Sequence, residues 1–289
     1  MLTLPLAFQV LINGLTLSSI YIMVALGFTM IFGIMRVINF AHGEFAMLGG
    51  YMMLVLMDRV GLPFPLALPL SVLAIALASL VLEATIYQRF YQKEMQGMIA
   101  TLGVSIALTY AVVVIFDTHE QVIPPYFSDI FVIGDVVITS DRVFVISVTL
   151  AALVAFFLFM RYSRIGLAMR VVAHDFTIAQ VQGIDARATF RVAFFIASAL
   201  AALAGALLGQ LYSVTPFMGA VPLVKAFTVV ILGGLGSIPG AAVGGLILGM
   251  GESVASTFFG SSIAQFASFG LVVLVLLARP NGLLGGKGS

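Results

Sequence analysis

The stretch RVINFAHGEFAMLGGY, residues 36–51, sets Arg36, Asn39, His42 and Glu44 into a chain that is apolar almost everywhere else. Ionisable residues are costly inside a bilayer, so their presence in a membrane segment points to a function. The stretch lacks a clean apolar run of about 20 residues, the length that a spanning helix needs. We therefore expect a broken helix here, at a place that matters to the activity.

The composition places the chain in a membrane. Of its 289 residues, 62% are hydrophobic and 9% are charged, whereas a soluble domain carries about 25% charged residues. The absence of cysteine excludes disulfides and thiolate metal sites. A net charge of +1, without a basic run, gives no basis for nucleic-acid binding.

Apolar runs organise the chain, and the backbone of each must satisfy its own hydrogen bonds in lipid, which makes the runs helices. The runs are 4–35, 60–82, 95–116, 143–160, 192–214, 226–250 and 262–278. The alternating strands of a membrane barrel do not occur. The predicted fold class is all-α, a polytopic transmembrane helix bundle with about eight membrane segments, broken or re-entrant helices included.

A second interruption lies in the sixth run, where the sequence reads VVILGGLGSIPGAAVGG over residues 229–245. We expect Gly233, Gly234, Gly236 and Pro239 to break the helix, because glycine and proline are unfavourable in helix interiors. Each of the two interruptions lies between two full apolar runs. This placement predicts two related halves, each made of helix, broken segment and helix. Paired interruptions of this kind mark a transport pathway.

Loop charges predict the orientation. Residues 161–191 contain five arginines, whereas residues 117–142 contain five carboxylates and one arginine. Because basic loops stay in the cytoplasm, we expect the first loop inside and the second outside. The side of the N-terminus stays open, since the long first run either crosses once or doubles back. Glu83, Lys225 and Glu252 lie near predicted helix ends, from which long side chains reach the membrane surface.

The cytoplasmic loop, about residues 162–190, has a helical pattern of its own. Ile165, Met169, Val172 and Phe176 recur at helical spacing, and Gly183 is a helix stop. The apolar face of such a loop either docks a partner or lies on the membrane surface, with arginines at lipid phosphates.

Patterns of known catalytic sites do not occur. The chain has no G-x-x-x-x-G-K-[ST] phosphate loop, and AHGEF at 41–45 is not the H-E-x-x-H pattern of zinc proteases. His42, His119 and His174 fall in separate segments, which disfavours a metal site. We expect no catalytic residue, metal or cofactor on this chain and infer that it is not an enzyme.

Five blocks of sequence together carry a resemblance. They are RVINFAHGEFAMLGGY (36–51), TLGVSIAL (101–108), RVVAHDFTIAQVQGID (170–185), KAFTVVILGGLGSIPGAAVGG (225–245) and RPNGLLG (279–285). In this order and spacing, the blocks resemble the permease subunits of the branched-chain amino-acid ABC importers, the LivH type. The resemblance runs from about residue 13 to residue 285.

The resemblance implies one transmembrane permease domain, residues 1–289, in the bacterial cytoplasmic (inner) membrane. It implies several partners besides membrane lipid: a second related permease subunit, two cytoplasmic ATPase subunits that hold ATP and Mg, and a periplasmic binding protein that delivers an amino acid. It also places the ATPase coupling loop at Asp175, Gln182, Gly183, Ile184 and Asp185. The GID at 183–185 departs from the E-A-A sequence of other importers.

Asn39, His42 and Glu44 fit two roles. In one, they line the translocation pathway and contact the solute. In the other, they hold the break in shape: Arg36 pairs with Glu44, and Asn39 and His42 cap a half-helix that begins near Glu44, where the helix dipole favours an acid.

The cargo and the transporter class also have alternatives. Related permeases carry urea, short amides or aromatic acids, and the apolar composition does not separate these from branched-chain or other hydrophobic amino acids. A stand-alone, ion-coupled secondary transporter would also contain paired broken helices.

Overall fold

The computed structural model describes residues 4–91, 93–127, 129–133, 136–279 and 282–284. Helices dominate this part of the chain. They are α1 (Leu4–Met35), α2 (His42–Leu54), α3 (Phe64–Thr85), α4 (Glu94–Phe116), α5 (Ser140–Tyr162), α6 (Arg164–His174), α7 (Phe176–Val181), α8 (Ala186–Leu211), α9 (Ala220–Gly233), α10 (Ile238–Phe259) and α11 (Ser261–Ala278). A π-helical turn, Val55–Arg59, extends α2, and a 3-10 turn, Tyr87–Phe90, follows α3.

Seven helices within the described residues are long and apolar enough to cross a membrane: α1, α3, α4, α5, α8, α10 and α11. α2 and α9 are apolar but have only 13 and 14 residues. At 1.5 Å per residue each is about 20 Å long, whereas the hydrocarbon layer is about 30 Å thick. The predicted polytopic helix bundle is confirmed, and two of its membrane segments are half-length helices.

The acidic loop contains a short antiparallel hairpin that the sequence analysis did not predict. Its strands are β1 (Ile130–Ile133) and β2 (Val136–Thr139), with Ile130 opposite Thr139. The strand sequences IFVI and VVIT are apolar almost throughout, so they lack the alternation of apolar and polar residues by which a half-buried strand is recognised. The hairpin leads directly into α5.

α1 begins at the acidic end of the bundle. Gln9 Oε1 accepts a hydrogen bond from the Val137 N–H at 3.3 Å, and the guanidinium of Arg142 donates to Asn13 Oδ1. α1 ends at the opposite, basic end, where its last turns border α6. α1 therefore crosses once, and its N-terminal end lies on the side of the acidic loop, which loop charge assigns to the outside.

Two sets of three helices share one plan. α1, α2 and α3 form a long, a short and a long helix, and α8, α9 and α10 repeat this order. α2 follows an irregular segment at 36–41, and α9 follows one at 212–219. Because α1 runs towards the basic end and α8 runs away from it, the two sets are inverted relative to each other, as in many transporters.

The two halves are therefore present, but the pairing of the interruption at 36–51 with that at 229–245, expected from the sequence, is wrong. The counterpart of residues 36–41 is 212–219, and not the glycine-rich segment 233–239. The latter forms the turn between α9 and α10, equivalent to residues 60–63 between α2 and α3. The sequence SVTPFMG at 213–219 contains serine, threonine, proline and glycine, which are turn residues, and this signal was available.

α1 forms the centre of the bundle and packs on α8, α9 and α10. Small residues permit this close packing. A Cβ on Gly249 of α10 would overlap Ser18 of α1, and a Cβ on Gly205 of α8 would overlap the Ala46 carbonyl of α2. The two half-length helices thus pack closely against the full-length helices α1 and α8.

Candidate functional site

The N-terminal ends of α2 and α9 meet inside the bundle. A Cβ on Gly219, which precedes α9, would stand 2.7 Å from the Gly43 carbonyl oxygen and 2.9 Å from Glu44 Oε2. α2 runs from this point to the acidic end, where Tyr51 packs on Phe116 with ring centroids 4.6 Å apart. α9 runs to the basic end, so the two half-helices point away from a common origin.

This origin lies near the middle of the membrane. A Cβ on Gly27 of α1 would stand 2.8 Å from the Ala197 carbonyl of α8 and 2.9 Å from His42 Cε1, so the three helices meet at one level. At 1.5 Å per residue, Ala197 lies about 16 Å along α8, whose full length is about 39 Å. The start of α2 therefore lies far from both membrane surfaces.

Glu44 is the carboxylate at this origin. It lies in the first turn of α2 and beside the start of α9, and each helix N-terminus carries about half a positive charge. Ser105 Oγ of α4 donates to Glu44 Oε1 at 3.0 Å, and Thr109 of the same helix lies beside the carboxylate, while Oε2 makes no closer hydrogen bond among the described residues. Glu44 is 6% exposed. The expected ion pair with Arg36 is wrong: Arg36 is exposed whereas Glu44 is buried, and the two form no ion pair.

His42 fastens the start of α2 to α1. Its Nε2 donates to the Val24 carbonyl at 3.0 Å, since a carbonyl can only accept. The ring is fully buried and meets the edge of Phe28 with centroids 5.9 Å apart. These contacts favour the shape-holding role for His42 over direct contact with a solute.

Asn39 stabilises the irregular segment before α2. Its Oδ1 accepts from the Ala41 N–H at 3.1 Å and from the Tyr87 hydroxyl at 3.2 Å. The expected helix capping by Asn39 and His42 is not observed, because Ala41 is the N-cap and no side chain caps this end. Phe40 N–H donates to Thr101 Oγ1 at 3.1 Å, which ties the segment to α4.

The helix break predicted at Gly233, Gly234, Gly236 and Pro239 is present, since α9 ends and α10 begins within these residues. Gly234 and Gly236 have φ angles of 108° and 80°, which glycine adopts at low cost. Pro239 lies in the first turn of α10, where proline is tolerated. The turn borders the same cleft as Arg170, so it lies at the basic end of the bundle.

The predicted coupling residues flank α7. Asp175 caps α7, its Oδ1 accepting a backbone N–H at 2.9 Å, and Asp185 caps α8 by accepting two backbone N–H groups at 2.9 and 3.1 Å. Gln182 and Gly183 are exposed in the turn, and Gly183 has a φ of 77°. Ile184 N–H donates to the Ala179 carbonyl at 3.0 Å, which closes the turn. Gly183 thus ends α7, as the sequence predicts.

α7 presents an apolar face to solvent. Val181 and Ile178 are 84% and 49% exposed, whereas Ala179 between them is fully buried. The ring of Phe176 stacks on Phe190 of α8 with centroids 6.0 Å apart. α7 is therefore anchored on its inner side and exposes an apolar ridge on its outer side, which is available to a partner or to the membrane surface.

A buried carboxylate lies behind the anchor of α7. Phe190 packs against Tyr91 with centroids 4.3 Å apart, and the Tyr91 hydroxyl donates to Glu83. Arg191 Nε lies 3.4 Å from Glu83 Oε2. Burial, followed by this bond to Glu83, raises the pKa of Tyr91 above its ordinary value. Glu83 is fully buried, so the expectation that it reaches the surface is wrong, and it joins α8 to the end of α3.

Lys225 and Glu252 form an ion pair that the sequence analysis missed. Lys225 Nζ lies 2.6 Å from Glu252 Oε2, and the two side chains are 4% and 14% exposed. The Tyr21 hydroxyl donates to the same oxygen at 3.1 Å, so the pair joins α9 and α10 to α1. The sequence signal for this pair was two isolated, opposite charges in consecutive apolar segments.

Within the described residues, no group of three or more His, Asp or Glu side chains could hold a metal ion.

Comparison with known proteins gives a consistent picture. A family described as branched-chain amino acid transport system / permease component matches residues 10–278. The chain is 37% identical to the high-affinity branched-chain amino acid transport system permease protein BraD of Pseudomonas aeruginosa, over 96% of this chain and 95% of the relative. It is 38% identical to LivH of Escherichia coli, a protein of the same description, over the same shares of both chains.

More distant relatives and solved structures complete the comparison. A probable branched-chain amino acid transport permease protein LivH of Methanocaldococcus jannaschii is 27% identical, over 96% of this chain and 92% of the relative. No solved structure matches the chain.

Proposed function

The chain belongs to the family of branched-chain amino acid transport system permease components, and on this premise we propose that it carries branched-chain or other hydrophobic amino acids across the cytoplasmic (inner) membrane. The match over residues 10–278 carries the proposal, because it includes every helix that spans the membrane in whole or large part. As a permease component, the chain works in a complex with other subunits of an ABC transport system.

The proposed complex contains a second related permease, two ATPase subunits on the cytoplasmic face and a periplasmic binding protein. The sequence of this chain offers no phosphate loop, which supports placing ATP and Mg on the ATPase subunits. Its residues 1–289 act as one permease domain. The exposed apolar faces of α4 and α11 support burial against lipid and a second permease.

The proposed pathway passes the common origin of α2 and α9. Irregular backbone inside a membrane is tolerated only where it is buried in protein or lines a cavity. The residues that precede both half-helices form irregular backbone at this depth. Glu44, with one unpaired carboxylate oxygen, is the candidate for contact with the amino acid. Asn39 and His42 hold the origin in shape, and the turn with Gly233, Gly234, Gly236 and Pro239 lies at the cytoplasmic end.

The proposed coupling element is α7 with the turn that follows it. Its apolar ridge fits an ATPase groove, and its anchor leads through α8 and Glu83 to the end of α3. Asp175 and Asp185 fix both ends of this element as helix caps, while Gln182, Gly183 and Ile184 form the turn that the ATPase would contact.

The test is uptake by the reconstituted complex in proteoliposomes. With the binding protein outside and ATP inside, we expect accumulation of labelled leucine, isoleucine or valine that stops when ATP is omitted and persists with an uncoupler. Uptake by this chain alone, driven by an ion gradient, would contradict the proposal and support the secondary transporter. Competition by urea, short amides or aromatic acids, without competition by leucine, would assign a different cargo.

A further inference from the structure

A cleft of about 680 Å³ opens at the basic end of the bundle. It lies between α1, the end of α5, α6 and the turn from α9 to α10. Neither Glu44 nor any of the coupling residues lines it. Gly236 and Pro239 border one side of the cleft, but neither Glu44 nor the coupling element accounts for its arginine-bearing side.

The rim of the cleft is cationic. Arg161 at the end of α5 and Arg170 and His174 on α6 all border it, and no aspartate or glutamate in the described part of the chain does so. Neither arginine forms an ion pair within the described residues. Two guanidinium groups at one mouth, without a counter-ion, are suited to a phosphate group, which arginine binds with paired hydrogen bonds.

The wall of the cleft is apolar. Met30 and Ile34 of α1, Phe157 and Met160 of α5 and Met169 of α6 supply most of it. Thr29 Oγ1 adds one polar atom there, buried and without a hydrogen-bond partner among the described residues. A ligand that fits this cleft is an anion at one end and apolar at the other, with an oxygen that can accept the Thr29 hydrogen.

The cleft also lies between helices whose outer faces are suited to contact with lipid. The helices on either side of it, α5 and α10, expose apolar side chains such as Val154, Leu158, Val243 and Leu246. The basic loop places the mouth at the cytoplasmic surface, where anionic headgroups are concentrated.

We propose that this cleft binds an anionic phospholipid of the cytoplasmic leaflet. Its phosphate lies between Arg161 and Arg170, with His174 as a further hydrogen-bond donor, and one acyl chain lies along the wall formed by α1 and α5. A zwitterionic amino acid fits less well, because the cleft has no carboxylate to receive an ammonium group.

The experiment measures lipid retention on the purified complex by native mass spectrometry, after reconstitution with phosphatidylglycerol or with phosphatidylcholine alone. The test variant is Arg161→Gln with Arg170→Gln, and the matched control is Arg164→Gln, an exposed arginine of α6 that does not line the cleft. We expect the double variant to retain phosphatidylglycerol about 30-fold more weakly, since each surface charge contributes about 1 kcal/mol to anionic lipid binding. The control should retain it as the wild type does.

A second variant addresses the wall. Ala173→Phe places a bulky ring in the cleft without changing its charge, and we expect it to lower retention of phosphatidylglycerol as well. Retention of phosphatidylglycerol at the same level by the wild type and both test variants would overturn the proposal. Retention of phosphatidylcholine by the wild type as strongly as phosphatidylglycerol would also overturn it. Loss of the ATPase subunits from the double variant, with lipid retention unchanged, would also overturn it and assign the cleft to the ATPase.

Discussion

Glu44 and His42 are two residues apart in sequence but differ in their surroundings. His42 is fully buried and donates through Nε2 to the Val24 carbonyl, while its Nδ1 has no hydrogen-bond partner among the described residues. Glu44 accepts from Ser105 through one carboxylate oxygen, and its other oxygen lies beside the starts of two helices. The site therefore divides into a ring that ties α2 to α1 and a carboxylate that lies where two helices begin.

Glu44→Gln should reduce uptake about 10- to 100-fold, because it keeps an acceptor for Ser105 but removes a charge that can bind the cargo's ammonium group. The measurement is ATP-dependent leucine uptake in proteoliposomes, with subunit assembly checked by size-exclusion chromatography. Glu94→Gln, at an exposed position of α4, is the matched control and should leave uptake unchanged. Wild-type uptake by Glu44→Gln would show that the charge has no part in passage.

His42→Ala should destabilise the complex by about 1–3 kcal/mol, because it removes a buried hydrogen bond to Val24 and leaves space beside Phe28. His42→Gln should retain much of the stability, since its amide nitrogen can replace Nε2 as a donor. Thermal unfolding of the two variants in detergent is the measurement. Equal melting temperatures for His42→Ala and the wild type would contradict the shape-holding role.

Among the helices, α7 gives the sharpest prediction. Val181→Glu places a charge on the exposed apolar ridge and should abolish ATP-driven uptake, because a groove that receives Val181 would have to bury a carboxylate. The packing of Phe176 on Phe190 is untouched, so the permease should still fold. Gln180→Glu adds the same charge on another side of α7 and should be tolerated better. Co-purification of the ATPase measures docking directly, and undiminished docking of Val181→Glu would contradict the assignment.

The half-helix α9 depends on its ion pair. Lys225→Met leaves Glu252 buried with only Tyr21 as a partner, and we expect a loss of about 3–5 kcal/mol in stability. Lys225→Met combined with Glu252→Gln removes both charges and should recover most of that loss. Unfolding measured for the two variants side by side tests this, and a double variant as unstable as the single one would contradict it.

The sequence predicts the full-length helices well and the half-helices poorly, for a physical reason. A spanning helix leaves a continuous apolar run, as 95–116 does for α4. A half-helix joins its neighbour through a few irregular residues that carry no charge, so 212–214 were assigned to the apolar run before them and the turn residues at 215–219 were not recognised as the start of a half-helix. Glu44 was found because it is charged, but its position between two helix starts depends on contacts over long sequence distances, which single segments do not encode.

The inverted arrangement of the two halves makes a prediction for the entire molecule. Val60 and His119 should lie outside the cell, and Arg164 and Leu235 inside. Because the chain has no cysteine, each position can be changed to cysteine alone and labelled with a membrane-impermeant thiol reagent. We expect labelling of the first two in spheroplasts and of the last two only in inverted vesicles. Labelling of Leu235→Cys from outside would contradict the inverted arrangement.

The central position of α1 in the bundle has a consequence for folding during synthesis. α1 is synthesised before the other helices described here, but the helices that cover it, chiefly α10 with α8 and α9, belong largely to the last third of the chain. Ser253 Oγ bonds to the Val10 carbonyl across 243 residues, and Ser18 Oγ bonds to the Leu246 carbonyl across 228. Such distant contacts form late. Until the last third of the chain has been inserted, the small and hydroxyl-bearing side of α1 therefore lacks these partners.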